Sequence, residues 1–372
     1  LPILQSDFST TTSNSQLTLS LFMIGLALGN LFVGPISDAI GRKTPLVVAM
    51  SLFTLGSIGI IFVDNIWLMI ALRFVQGFCG GAGAVISRAI SSDLYSGKQL
   101  TKFLALLMLV NGVAPVIAPA LGGVILSFAT WRMVFVILTL YGVSMVIGAL
   151  FKVPESLELE ERDSPHLGSI FKKFKQLLIT PRFVLPMLIQ GVTFIMLFSY
   201  ISASPFITQS IYQMSAQQFS IMFAVIGISL IISSQLTGKM VDYIDRLTLL
   251  RILTIIQIIG VAVVSMTLVM HLSMWLLFIG FVILVAPVTG VATLGFSIAM
   301  DERTGGNGSA SSLLGLVQSL LGGLVSPLVG MMGEDSYIPY ITIIMIAGIL
   351  LIILQCINYF VFKYIPSKNS IE

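Results

Sequence analysis

The sequence predicts an all-α protein that crosses a membrane many times. Hydrophobic residues make up 56% of the 372 residues and charged residues only 9%, whereas about a quarter of the residues of a soluble domain are charged. The apolar residues also occur in long continuous runs. A helix rising 1.5 Å per residue needs about 20 such residues to span the hydrocarbon core. The same runs exclude a barrel of short strands with alternating polarity.

These apolar runs predict eleven visible helices in order along the chain. They cover residues 16–39, 45–63, 66–92, 101–126, 131–151, 183–209, 217–240, 247–270, 273–300, 307–333 and 338–364. Lys and Arg residues fill every second loop, and the other loops clearly hold only Arg132. Cytoplasmic loops carry the excess of positive charge. The basic loops and the C-terminus are therefore expected in the cytoplasm.

This orientation places Leu1 outside, at the start of an inward-running helix. We therefore expect one more helix upstream of Leu1, which makes about twelve. A hydrophilic segment then separates an N-terminal half, residues 1–151 (helices 2–6, the first absent), from a C-terminal half, residues 181–372 (helices 7–12). Two related halves are a common architecture of transporters. The linker, residues 152–180, is either simply solvated or regulatory.

The loop between the first two visible helices carries the most specific motif. It reads Gly34-Pro35-Ile36-Ser37-Asp38-Ala39-Ile40-Gly41-Arg42-Lys43. This string resembles the loop signature G-x-x-x-D-x-x-G-R-[KR] of the major facilitator superfamily. A degenerate copy, Gly238-Lys239-Met240-Val241-Asp242, occupies the matching loop of the second half and indicates an internal repeat.

Two more strings support the same family. Arg73-Phe74-Val75-Gln76-Gly77 resembles the R-x-x-Q-G of the superfamily's fourth helix, and Ala118-Pro119-Ala120-Leu121-Gly122-Gly123 resembles the G-P-x-x-G-G of drug-proton antiporters, with Ala118 departing from Gly. At a finer level the chain resembles the Bcr/CflA (bicyclomycin resistance) group of multidrug exporters. The strings that carry this resemblance are Gln16–Met23, Arg88–Ile90, Asp93–Tyr95, Trp131-Arg132, Pro154–Leu157, Ile201–Phe206 and Gly308–Ala310. The resemblance implies the major facilitator fold with two pseudo-symmetric six-helix halves.

Arg73 is the sharpest physical signal in the spans. It follows the start of its helix closely enough to lie about 10 Å below the outer interface, where an unpaired charge costs at least about 3 kcal/mol. It therefore faces a watery cavity or a carboxylate, unless its long stem reaches the headgroups. No Asp or Glu lies deep in a visible span. The resemblance implies an acidic partner shortly before Leu1, at which proton and drug would compete.

The resemblance also implies a gate formed by Gly34, Asp38, Gly41, Arg42 and Asp93. Asp38 would accept hydrogen bonds from the helix start near residues 307–309, because unpaired N–H groups and the helix dipole favour an anion there. Arg42 would pair with Asp93. Such contacts would hold one state of the transport cycle and break in the other. A plain turn between two helices is the alternative.

Polar side chains inside the apolar helices suggest a binding cavity. The candidates are Gln76, Asn111, Gln190, Gln235 and Gln318, with the aromatic residues Phe194, Phe198 and Tyr200. Each amide could instead form hydrogen bonds between helices. Pro119, Gly122 and Gly123 of the antiporter motif suggest a bent, closely packed helix.

The expected protein is a bacterial inner-membrane antiporter that exports small, largely apolar drugs in exchange for protons. Its expected partners are the drug, protons and the lipid bilayer, with no nucleic acid, and it is expected to be a monomer. No nucleophilic triad, zinc-ligand spacing or phosphate-binding loop occurs in the sequence. We therefore predict no enzyme activity, cofactor or metal. The alternatives are an exporter of an endogenous metabolite such as an amino acid and, from a different class, a membrane receptor or membrane enzyme.

Overall fold

The protein folds into long apolar helices. The computed structural model describes residues 4, 7–10, 12–108, 125, 128–162, 167–303, 307–329 and 336–364. Within these residues, ten helices are long and apolar enough to cross a membrane. The expected span 101–126 is described as helix over residues 97–108, and its remainder lies outside the described residues. The other ten expected spans match the ten helices within a few residues.

The helices are numbered in chain order. They are α1 (Thr12–Ile40), α2 (Lys43–Ile61), α3 (Ile66–Leu94), α4 (97–108), α5 (Arg132–Phe151), α6 (Leu167–Leu178), α7 (Pro181–Phe206), α8 (Ala216–Met240), α9 (Arg246–Val269), α10 (Met274–Val285), α11 (Pro287–Asp301), α12 (Asn307–Val329) and α13 (Ile338–Tyr364). A π-helical turn, Ile207–Ile211, extends α7. One span, Met274–Asp301, contains both α10 and α11, and it is interrupted where Pro287 supplies no backbone N–H.

The linker is partly helical. A short 3₁₀ turn, Leu159–Glu161, follows α5, and the basic part of the linker forms the amphipathic helix α6. Both lie in the segment that the sequence separates from the two apolar halves.

The chain packs as two compact units. The first contains the described residues of Leu1–Leu94, Ala118–Lys175 and Thr304–Leu316. In it α1 packs along α3, and α2 packs against α3 and α5. Small residues let α1 and α3 approach closely, because a side chain on Gly77 would meet the backbone of Phe22.

The second unit contains the described residues of Tyr95–Ile117, Gln176–Arg303 and Val317–Glu372. Its core is formed by α7, α9, α10, α11 and α13 around fully buried side chains such as Phe281 and Leu284. The division of the sequence into halves 1–151 and 181–372 stays a prediction. By contacts, α4 groups with the second unit and the first turns of α12 with the first.

Candidate functional site

Asp38 lies in the last turn of α1 and accepts hydrogen bonds from the first turn of α12. Its Oδ1 accepts from the backbone N–H of Gly308 at 2.8 Å. Its Oδ2 accepts from the backbone N–H and the hydroxyl of Ser309, each at 2.7 Å. Asp38 is 2% exposed. The first N–H groups of a helix have no partner within the helix and carry partial positive charge, so they stabilise the buried carboxylate.

Arg42 is fully buried and bridges two carboxylates. Its Nη1 donates to Asp38 Oδ1 at 2.8 Å, and its Nε and Nη2 donate to Asp93 Oδ2 and Oδ1 at 2.9 and 3.3 Å. Burial lowers the pKa of Arg42, but the hydrogen bonds and charges of Asp93 and Asp38 outweigh this and raise the pKa above its ordinary value. Arg42 therefore stays charged and pairs with both acids.

Asp93, in the last turn of α3, connects two further segments, the start of α12 and the linker, to Arg42. Its Oδ1 accepts from Asn307 Nδ2 at 2.6 Å, and its Oδ2 accepts from the Ser156 hydroxyl at 2.7 Å. Two carboxylates and one guanidinium leave one negative charge, which the Asn307 amide and the start of α12 offset. The set Asp38, Arg42, Asp93, Asn307, Gly308 and Ser309 is called the first latch below.

Glu155 attaches the start of the linker to the start of α2. Its Oε1 accepts from the backbone N–H of Arg42 at 2.7 Å, and its Oε2 accepts from that of Lys43 at 3.2 Å. Arg162 forms an ion pair with the same carboxylate at 3.6 Å. Glu155 thus caps α2, which has no capping side chain of its own.

Two glycines make these contacts sterically possible. Gly41 has a φ of +96°, and a side chain there would also meet the Glu155 carboxylate. A side chain on Gly34 would collide with the carbonyl of Gly308 and the hydroxyl of Ser312. The motif glycines are therefore explained by a left-handed turn and by the close approach of α1 and α12.

Arg73 projects from the N-terminal part of α3 within the first unit. Its guanidinium lies 4.2 Å from the centre of the Phe22 ring and donates to Gln76 Oε1 at 3.0 Å. Gln76 is fully buried and donates in turn to the Ser57 hydroxyl at 2.7 Å. No carboxylate among the described residues lies within 4.0 Å of the Arg73 nitrogens. The ring and the amide are neutral, so they do not balance the charge of Arg73.

The other polar candidates lie in the second unit. Gln190 of α7 donates to Gln318 of α12 at 3.1 Å, and Gln235 of α8 donates to the carbonyl of Ala105 in α4 at 3.0 Å. Tyr200 is 2% exposed and packs against Phe223 and Phe281 in the apolar core. In this conformation these side chains bond or pack between helices.

The sequence matches the family model described as Major Facilitator Superfamily over residues 1–327. The chain belongs to the major facilitator superfamily. Membership makes it a multi-pass membrane transporter rather than an enzyme.

Relatives within the superfamily include drug-resistance proteins. The chain is 38% identical to the MFS-type transporter YdgK of Bacillus subtilis over 94% of this chain and 87% of that protein. It is 30% identical to a bicyclomycin resistance protein homolog of Haemophilus influenzae over 90% of this chain and 84% of that one. Another relative is the multidrug resistance protein MdtL of Vibrio parahaemolyticus, 31% identical over 63% of this chain and 58% of its own. The resemblance to the Bcr/CflA type is thereby confirmed.

Solved structures confirm the fold. The proton:xylose symporter XylE superposes with a TM-score of 0.72 at 16% sequence identity, covering 98% of this chain and 90% of its own. The human organic anion transporter MFSD10 superposes with a TM-score of 0.65 at 16% identity, covering 90% of this chain and 82% of its own.

The repeated loop motif of this chain is accompanied by a second charge pair. Gly238, Asp242 and Arg246 repeat the four-residue spacing of Gly34, Asp38 and Arg42. Arg246 pairs through Nη2 with Oδ2 of Asp301 at 2.6 Å, in the last turn of α11, as Arg42 pairs with Asp93 in the last turn of α3.

Asp242 differs from Asp38 in its partner. It pairs with Nζ of Lys102 in α4 at 2.6 Å, and both side chains are nearly half exposed. The set Lys102, Asp242, Arg246 and Asp301 is called the second latch below.

The structure brings the predicted gating residues together and adds others. Three residues of the site were not predicted: Glu155, Ser156 and Ser37. The Ser37 hydroxyl donates to the Gly34 carbonyl and accepts from Arg42 Nη1, each at 2.7 Å. The sequence shows only that α2 begins with no Ser, Thr, Asp or Asn cap. It does not indicate that Glu155 supplies one. Four predicted residues, Asn111, Pro119, Gly122 and Gly123, lie outside the described residues.

Proposed function

We propose that this transporter exports small, largely apolar drugs in exchange for protons by alternating access between two six-helix halves. The observation that carries this proposal is the first latch, a buried ionic contact between α1 of the N-terminal half and α12 of the C-terminal half. The two segments are far apart in sequence, and charges hold them together instead of interdigitated apolar side chains. A contact of this kind can form and break as a unit. The names of the drug-resistance relatives support a drug as cargo.

Arg73 is the proposed coupling residue. In a span with no described carboxylate beside it, its charge favours an anionic partner. A carboxylate that pairs with Arg73 releases it on protonation, and drug binding that favours the ionised form makes proton and drug compete. The hydrogen bond to Gln76 and the Phe22 ring hold the guanidinium in place for that partner.

The proposed orientation follows from the basic loops. Arg42, Lys98 and Arg246 lie at helix ends that the positive-inside rule assigns to the cytoplasm, so both latches are placed at the cytoplasmic ends of their helices. We place the protein as a monomer in a bacterial inner membrane with its C-terminus in the cytoplasm.

The test is transport in liposomes that contain the purified protein. Radiolabelled bicyclomycin, the drug named in one relative, should accumulate when a pH gradient is imposed and stop when a protonophore collapses the gradient. Arg73→Ala should abolish the gradient-driven part, while Arg251→Ala, which removes a span arginine stacked on Tyr359, should leave it.

Three outcomes contradict the proposal in different places. A rate that ignores the gradient refutes proton coupling. Full activity of Arg73→Ala removes that residue from the mechanism. Flux of amino acids without flux of drug indicates the metabolite exporter instead.

A further inference from the structure

A second arginine of α3, Arg88, lies within the membrane span near its inner end. Within the described part of the chain, no carboxylate lies within 4.0 Å of its nitrogens and no side-chain hydrogen bond forms at its guanidinium. Asp93, which follows Arg88 on α3, and Asp38 of α1 are already bonded within the first latch. An unpaired cation inside a span is costly, which marks such residues as functional.

Arg88 shares its surroundings with an unbonded amide and a glycine. A Cβ built on Gly315 of α12 would lie 3.3 Å from Arg88 Nη1 and 3.2 Å from Asn30 Oδ1 of α1. Asn30 is 4% exposed, and its Oδ1 has no hydrogen-bond partner among the described residues. The two polar atoms thus converge near one point, and a side chain at position 315 would fill it. All three residues belong to the first unit.

The same helix carries two more buried polar atoms that lack partners. The hydroxyls of Ser311 and Ser312, one turn before Gly315, are fully buried and without hydrogen bonds in the described structure. Ser312 faces α1, because a side chain on Gly34 would meet its hydroxyl. Unpaired buried polar groups therefore lie on α12 within one turn of Gly315. Leaving a buried polar group without a hydrogen bond is unfavourable.

The chemistry of these groups selects the ligand. A guanidinium offers a fork of N–H donors that fits the two oxygens of a carboxylate. The Asn30 amide can accept from a hydroxyl or, turned over, donate to a second oxygen. One arginine balances one negative charge, and a doubly charged phosphate would leave a buried excess charge. The groups therefore fit a monoanion.

We propose that Arg88, Asn30 and Gly315 form a subsite that binds the carboxylate of the transported molecule. Among transported drugs, those with an apolar body and one acidic group are then bound preferentially. This assignment rests on the proposed function for what is transported, but the binding preference itself needs no proton gradient. From residue 73 to residue 88 the helix rises about 22 Å and turns to within about 60° of the same face. Arg88 is therefore a site separate from the coupling residue.

The test compares an acid with its neutral analogue. The probes are 2-naphthoxyacetate and 2-naphthoxyacetamide, which share one aromatic body. Equilibrium dialysis against the full chain in detergent, without any pH gradient, should show the acid binding at least about tenfold more tightly, as expected for a hydrogen bond to a charged group. Arg88→Gln should remove this preference, and Arg88→Lys should keep part of it.

Gly315→Ala provides a second variant that keeps the charge. Its added methyl group occupies the point between Asn30 and Arg88 and should weaken acid binding but not amide binding. The matched control is Gly323→Ala on the same helix, where nothing lies within 4 Å of the new Cβ. It should behave as the unmodified protein, as should Arg251→Gln. Gel-filtration profiles establish that each variant is folded.

Two results would overturn the subsite. One is equal binding of acid and amide by the unmodified protein. The other is that folded Arg88→Gln or Gly315→Ala still binds the acid more tightly than the amide. If Arg73→Gln then lost this preference, the carboxylate would bind at Arg73. Failure of the proposed function has a different signature, since gradient-insensitive transport would leave the acid preference intact.

Discussion

The two latches share a sequence pattern but differ in burial. In the first latch Arg42 is fully buried and Asp38 and Asp93 nearly so. In the second, Arg246 and Asp301 are about one-quarter exposed beside an open cavity of 170 Å³, and Lys102 and Asp242 are nearly half exposed. Water and ions screen exposed charges, whereas breaking a buried pair leaves an uncompensated charge in a low dielectric. The same motif therefore makes a strong contact in one unit and a weak, adjustable one in the other.

The helix that follows each latch loop is also capped differently. Asp245 caps α9 from the adjacent position, accepting from the N–H groups of Leu247 and Thr248. The corresponding position before α2 is Gly41, and the cap comes from Glu155 of the linker. Among the described residues, Glu155 therefore ties the first latch to the linker.

Replacing the central arginine of each latch should give the largest difference in stability between them. Arg42→Gln leaves two buried carboxylates without a cation and should lower the free energy of unfolding by about 3–5 kcal/mol. Arg246→Gln should lower it by less than about 1 kcal/mol. Chemical unfolding of purified protein in mild detergent, followed by fluorescence, measures both. Equal losses would show that burial does not distinguish the latches. Arg42→Lys keeps the charge but loses the forked set of N–H donors, so its loss of unfolding free energy should lie between those of the unmodified protein and Arg42→Gln.

Asp38→Asn should slow transport more than it weakens substrate binding. The amide keeps the shape but loses the charge and one acceptor, and each hydrogen bond to a charged group contributes about 1.5–3 kcal/mol. The contact between α1 and the start of α12 is weakened accordingly, so turnover in liposomes should fall by about tenfold or more. The dissociation constant should change little. Asp242→Asn, the matched change in the second latch, should alter turnover by less than about twofold. Equal turnover of Asp38→Asn and the unmodified protein would refute its gating role.

Loss of the linker cap should free the linker. Glu155→Ala removes the carboxylate that accepts from α2 and pairs with Arg162, at a cost of about 1 kcal/mol. Trypsin should then cleave after Arg162 faster, as followed by mass spectrometry of the fragments. Asp245→Ala should cost a similar stability and leave this cleavage unchanged. Unchanged cleavage in Glu155→Ala would mean that other contacts hold the segment.

Salt should reveal the smallest difference. A double-mutant cycle on Lys102 and Asp242, using alanine, should give a coupling energy of about 0.2–1 kcal/mol at low salt and almost none at about 1 M, where the Debye length is about 3 Å. The same cycle on Arg42 and Asp93 should keep most of its coupling in high salt. A salt-independent Lys102–Asp242 coupling would indicate that this pair is better shielded than its exposure suggests.

Much of the fold and part of the site could be predicted from the sequence. Span positions follow from hydropathy, which is a local property, and the structure reproduces them within a few residues for the ten described spans. The pairing of Asp38 with the start of α12 and of Arg42 with Asp93 could be expected only through the family resemblance. Hydropathy does not indicate which distant segment a polar residue meets. Glu155 illustrates this, since by sequence it is one acid among several in a hydrophilic linker.

Residue types and their spacing are enough to show that this chain crosses a membrane, where its helices lie and that its loop motif repeats with the same spacing. Those features depend on residue type and on helix length, which the chain carries locally. The folded structure is needed to see that Arg42 is buried while Arg246 is partly exposed. It also shows that Glu155 caps a helix more than 100 residues away, and that Asn30, Arg88 and Gly315 converge. Burial and the local dielectric are properties of the neighbours a residue acquires on folding. The energetic difference between the two latches is therefore set by packing and not by their shared motif.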